Sequence, residues 1–383
     1  MTYPNPNFTP VVIKRSPQVS AIKIVLAILA ILISLMLGLL VLLVIGIETG
    51  PIGFILGLLA ATIPVPLYVV LVLWIDRYEG EPLWMLSTAF FWGALVAPFF
   101  AFLFNTSSGM IVTLASSAEA GEAFAAVISA PIVEEIGKAF ILIIFFIWKK
   151  DEFDGVVDGI VYASMAGLGF AMTENILYYG NAAATSGGVL TATVIVRGFF
   201  APFSHPLFTS LTGIGLGLAR QSTNIAIKIL TPIVGLLMAI FMHSIWNGSA
   251  VFGGGWAFLF TYIVVMVPAF LIVLIVIMVS LRREGQVVRE FLLIETERGF
   301  LTRQEYDQLG SIFGRMGSSF NALSSTGMKG WRVRRRFNQL ASELAFHRSR
   351  VSRGIHSRNQ DPHAQEAAYL HALQDLINEL RAR

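Results

Sequence analysis

The stretch SAPIVEEIGKAFILIIFFIW, residues 129 to 148, sets two adjacent glutamates and a lysine in a run otherwise apolar enough to cross a bilayer. A charge at bilayer depth costs roughly 2.5 to 3.5 kcal/mol on insertion scales, so such residues face a protein interior or a watered cavity. Glu134, Glu135 and Lys138 therefore mark a site or a buried ion pair.

The surroundings of this stretch are those of a membrane protein. Of 383 residues, 55% are hydrophobic and 13% charged, against about 25% charged in a soluble domain. Apolar runs near 22–47, 52–75, 83–104, 123–148, 156–178, 189–217, 226–248 and 257–281 predict an all-α polytopic bundle of eight spans. The first run is too long for the apolar part of a signal peptide and is expected to remain as an anchor. Pro202 is expected to kink or break the sixth. No cysteine is present, which excludes disulfides, thiolate nucleophiles and cysteine-bound zinc.

Charge orients the bundle. The loops near 48–51, 105–122, 179–188 and 249–256 hold no Lys or Arg, whereas cations flank the alternate junctions. Both termini are therefore expected in the cytoplasm. Residues 1–21 read as a cytoplasmic segment, 22–281 as the membrane domain and 282–383 as a basic tail with 17 Lys and Arg against 11 Asp and Glu. Segments such as 291–313 and 364–383 have the amphipathic pattern of helices, and WRVRRRF (331–337) suits contact with anionic membrane lipids. No nucleic-acid-binding module is recognisable, and no tail partner is indicated. No inverted repeat of the kind found in transporters is visible.

Strongly polar groups recur in four successive spans. Glu134, Glu135 and Lys138 are followed by Glu174 and Asn175 in GLGFAMTEN (167–175), Arg197 and His205 in RGFFAPFSHPLFTS (197–210), and His243 and Asn247 in HSIWN (243–247). Singly, each has an ordinary explanation: an internal ion pair, a helix cap or an interfacial side chain. Together they predict one pocket. Glu134 and Lys138 are four apart and expected to pair, which leaves Glu135 free as a general base. The small residues of GLGFA should let helices approach closely and bring Glu174 in.

A carboxylate, two histidines and an amide in a dry pocket suit water activation. In one version His205, His243 and Asn247 stabilise an oxyanion without a metal. In the other, Glu135, His205 and His243 bind zinc with water in an open position. The metal-free version is preferred here, because Asn is a poor zinc ligand and Asn247 stands one turn after His243.

At these residues the sequence resembles the PrsW family of intramembrane proteases, relatives of the type II CAAX prenyl endopeptidases. APIVEEIGK, GLGFAMTEN, SHPLFTS and HSIWN match its ordered motifs, and DRYEGEP (76–82) is similar to its early loop. Lys138 stands three residues after Glu135, where the CAAX relatives carry an arginine four residues on, which favours the PrsW branch. The resemblance implies a protease of the bacterial plasma membrane that cleaves single-span membrane proteins such as anti-sigma factors. It makes Glu134, Glu135, His205, His243 and Asn247 the catalytic set, with Lys138, Glu174, Asn175 and Arg197 in support. The alternatives are an ion- or proton-coupled transporter, which would use the same carboxylates as a relay, and a non-catalytic membrane scaffold or sensor.

Overall fold

The computed structural model describes residues 21–354 and 361–382. The expected N-terminal segment thus lies, apart from Ala21, outside the described residues. Among these residues the chain is helical, with no strand. In order, the helices are α1 (Ala21–Thr62), α2 (Val65–Ile75), α3 (Leu83–Phe91), α4 (Ala97–Ala115), α5 (Ala118–Phe124), α6 (Ala130–Trp148), α7 (Val156–Thr185), α8 (Gly187–Val194), α9 (Ser204–Gln221), α10 (Ile225–Phe252), α11 (Gly254–Thr261), α12 (Val267–Glu297), α13 (Arg303–Leu309), α14 (Ile312–Ser352) and α15 (Pro362–Arg381).

Six helical stretches are long and apolar enough to cross a membrane: Ile24–Ile75, Leu83–Ala115, Val156–Thr185, Gly187–Gln221, Ile225–Phe252 and Gly254–Glu297. Exposed Leu32, Leu39, Ile233 and Leu237 show how much apolar side chain faces outward, as lipid contact demands. The chain is a multi-pass membrane protein. The eight expected runs map onto fewer helices for two reasons. A straight helix over Ile24–Ile75, 52 residues, would be about 78 Å long, over twice the ~30 Å hydrocarbon core. It contains two of the runs and is interrupted at Gly50, whose φ of 71° only glycine adopts readily, followed by Pro51. The fourth run, ending in α6, is as apolar as a span but carries three charged residues, which sets it apart from the six.

The helix α7 is buried along most of its length and forms the centre of the bundle. Its neighbours come close because glycine lines the contacts. A Cβ on Gly167 would meet the His205 carbonyl carbon at 2.8 Å, and one on Gly169 would meet Phe90 O at 2.0 Å. The expected close approach through GLGFA is therefore present, and it holds Glu174 against the helix that bears His205. The sixth run breaks where Pro202 suggested, helix ending at Phe200 and resuming at Ser204.

Short π-helical turns interrupt the bundle at Trp92–Val96, Ala125–Ser129 and Ile195–Phe200. Such turns disturb the regular backbone ladder and are frequent at functional sites. Each receives a donor from another helix: Thr173 donates to Ala94 O at 2.7 Å, Asn247 to Ala126 O at 2.9 Å, and Tyr68 to Gly198 O.

The expected boundary at 281/282 falls inside α12, which runs without a break from Val267 to Glu297. One apolar cluster extends from Leu142, Tyr162 and Leu281 through Tyr78 to Leu292, Phe337 and Leu344. Polar contacts join the same parts. Arg315 donates to Arg77 O at 2.8 Å, Arg350 pairs with Glu79 at 2.5 Å, and Tyr162 donates to Glu81.

Candidate functional site

Helices α6, α7, α9 and α10, together with the π-helical turn Ile195–Phe200 that carries Arg197, bring eight of the nine expected residues into one connected polar cluster, and Asn247 to its wall. Lys138, with no exposed surface, lies 2.5 Å from Glu135 Oε1 but 4.0 Å from Glu134 Oε2. This reverses the pairing expected from sequence. A spacing of three is as good a same-face spacing as four, and the remaining neighbours of Glu135 decide between them. Its Oε1 also accepts from His243 Nδ1 at 3.0 Å, and its Oε2 from Thr209 at 2.9 Å. Glu135 is thus fully partnered and has no exposed surface, so it is not the free carboxylate.

Glu134 is. Its Oε2 is buried without a hydrogen-bond partner among the described residues, and lies 3.8 Å from His243 Nε2. Glu134 also lines a cavity of about 940 Å³ together with Glu174, Arg197 and Asn247. It stands where the polar cluster meets open space. A buried polar atom without a partner is costly, on the order of 1–3 kcal/mol or more for a charged group.

The ring nitrogens can be assigned from their partners. His243 Nδ1 donates to the carboxylate of Glu135, which leaves Nε2 as a lone pair turned toward Glu134. Lys138 Nζ is 3.1 Å from His205 Nδ1, and an ammonium only donates, so Nδ1 accepts. His205 Nε2 then donates to Glu174 Oε2 at 2.9 Å. Arg197 donates to the same oxygen and, through Nε, to Asn175 Oδ1 at 2.7 Å. Aromatic rings fix the set: Phe208 stacks on His243 at 4.9 Å, and Lys138 lies 4.5 Å from the centroid of Phe170.

Ligand atoms of Glu134, His205 and His243 all lie within 4.8 Å of one another. The donor set expected from sequence has Glu135 in place of Glu134; here both Glu135 oxygens are engaged and Glu134 is the carboxylate within reach of both histidines. The amide of Asn247, expected to donate to a reacting oxygen, donates to Ala126 O. The preference for a metal-free site rested on that amide, and this contact weakens it. Thr209 was not singled out from sequence. Its place four residues after His205, on the same helix face, was the available signal.

Residues 81–273 match the family described as PrsW family intramembrane metalloprotease. The chain is 34% identical over 172 residues to Protease PrsW of Geobacillus kaustophilus, covering 45% of this chain and 69% of that protein. To Protease PrsW of Oceanobacillus iheyensis it is 33% identical over 199 residues, 50% of this chain and 82% of the relative. To Protease PrsW of Bacillus subtilis it is 32% identical over 174 residues, 45% and 71% of the two chains. No solved structure matches the chain. A helical membrane bundle with this kinship is a peptidase working within the bilayer. The chain belongs to the PrsW family of intramembrane metalloproteases. The match covers all nine residues of the candidate site and stops short of the tail. Neither a transporter nor a scaffold is favoured.

Proposed function

We propose that this protease cleaves a single-span membrane polypeptide, of which an anti-sigma factor is an example, at the cavity that Glu134 lines. The observation that carries the reading is the unpartnered Glu134 Oε2 beside the lone pair of His243 and open space. Glu134, His205 and His243 suit a divalent ion such as zinc, with two imidazoles and a carboxylate as donors. When bound, such an ion polarises a carbonyl and makes water a better nucleophile.

The protein's own groups prepare that site. Glu135 holds His243 in the tautomer that presents Nε2, the usual task of a carboxylate behind a ligating imidazole. Lys138 neutralises Glu135, and Thr209 fixes its second oxygen. Arg197 and His205 hold Glu174 in the cavity wall, where it is the carboxylate left to take the proton of the attacking water. A cavity of this size takes a few residues of extended chain. A metal-free reading, with Glu134 itself as general base, is favoured by one observation. Both ring nitrogens of His205 are engaged, by Lys138 and Glu174, and one contact must be given up for the ion.

The test is cleavage of candidate single-span substrates in proteoliposomes; no cleavage of any by active-site-intact protein would count against the reading. We also propose that both termini face the cytoplasm, supported by the four loops that lack Lys and Arg. A reporter at residue 150 or 300 should then be cytoplasmic, and one near 184 or 252 external. An external signal at 300 would overturn that orientation.

A further inference from the structure

A second large cavity, about 780 Å³, lies far along the chain from the catalytic residues, between the end of α2 and the helix α14. Gly327, with φ of 70°, breaks α14 into two arms. Arg315 donates to Ser342, and Asn338 to Ser319 at 3.3 Å, which fixes the arms side by side and antiparallel. The first arm contributes Met316 and Phe320 to the cavity, the second Trp331, Arg335 and Asn338. The opposite wall is the last turn and a half of an apolar helix, Val70, Leu73 and Trp74, followed by Arg77.

Three properties of this cavity point to one ligand. Arg77, Arg315 and Arg335 face it against a single carboxylate, Asp76. Arg77 lies 3.9 Å from the Trp74 ring and Arg335 lies 4.8 Å from the Trp331 ring, an arrangement of aromatic and guanidinium typical of a membrane interface. Asn338 lines the cavity and is 4% exposed, and its Oδ1 has no partner among the described residues. The first arm also exposes Phe313, 82% accessible, and leaves Phe320 at the cavity 68% accessible. Amphipathic helices that lie in a headgroup layer present such a face.

We propose that this cavity binds an anionic glycerophospholipid with a hydroxylated headgroup, phosphatidylglycerol in type, from the leaflet on the tail's side. The phosphate sits between Arg77 and Arg335, a headgroup hydroxyl donates to Asn338 Oδ1, and the acyl chains run along Val70 and Leu73. Arg315 is held by Ser342 and Arg77 O and acts as a fixed charge behind the phosphate. Asp76 does not oppose this strongly. Its Oδ2 is turned to the Glu81 N–H at 2.7 Å, and burial pushes its pKa up to about 7, so it carries part of a charge at neutral pH.

The test uses the full chain, purified in detergent and stripped of lipid, with binding read by native mass spectrometry and by thermal shift. Phosphatidylglycerol is expected to bind more tightly than phosphatidylcholine, and Arg335→Ala to weaken it about fivefold without changing the choline lipid. Arg335 is exposed, so its removal leaves the fold intact; Arg77→Ala combined with it should abolish the preference. Equal binding of the two lipids, or an unchanged preference in the double variant, would overturn the site. So would an equal shift from glycerol 1-phosphate alone, which would make it a site for soluble anions.

Discussion

Glu134→Gln is expected to lower cleavage about 10²-fold or more while the protein folds and inserts normally. The substitution retains volume at a position where no hydrogen bond is lost, because Glu134 Oε2 has no partner to lose. Glu135→Gln should behave differently. It leaves the wholly buried Lys138 without the carboxylate 2.5 Å away, and breaking such a pair costs roughly 3–5 kcal/mol. It also frees the His243 ring. Lower yield and a lower unfolding temperature should therefore accompany its loss of activity. The pair is read by measuring turnover in proteoliposomes beside thermal stability in detergent. Normal stability of Glu135→Gln, or near-normal turnover of Glu134→Gln, would mean that the two carboxylates have been assigned the wrong way round.

Metal content should separate the two mechanisms. Purified protein is expected to hold about one divalent ion per chain, removable by chelator with reversible loss of activity. His243→Ala should lose the ion, since it removes the ring whose Nε2 faces Glu134. Thr209→Val is the useful contrast. It removes a hydrogen bond to Glu135, at about 1–3 kcal/mol, yet touches none of the three donors, so the ion should stay. An active preparation with no stoichiometric metal, indifferent to chelators, would establish Glu134 as the base of a metal-free site.

Span composition made the helical membrane bundle legible, since twenty apolar residues in succession have few other uses. Pro202 and GLGFA announced a break and a close contact that are both present. The convergence of four spans on one cluster could also be read, because polar groups inside a bilayer have to find one another. Which glutamate took the lysine could not. Spacings of three and four are equivalent on a helix, and the choice was made by Thr209 and His243, more than 70 residues away in sequence. The π-turns were equally hidden, and so were the donors from Thr173, Asn247 and Tyr68 that meet three of them. The tail's composition suggested a region apart, but Leu281, Leu292 and Phe337 share one apolar cluster, which alternation of charge and apolar residues does not reveal.

The unbroken α12 has a mechanical meaning. At 31 residues it is about 46 Å long, a stiff strut with one end among the tail helices and the other beside the candidate site. Near that inner end Phe270 stacks on Phe203 at 6.4 Å, two residues before His205. A load applied to the tail is therefore delivered to the backbone that carries a site histidine, with no flexible joint in α12 to absorb it.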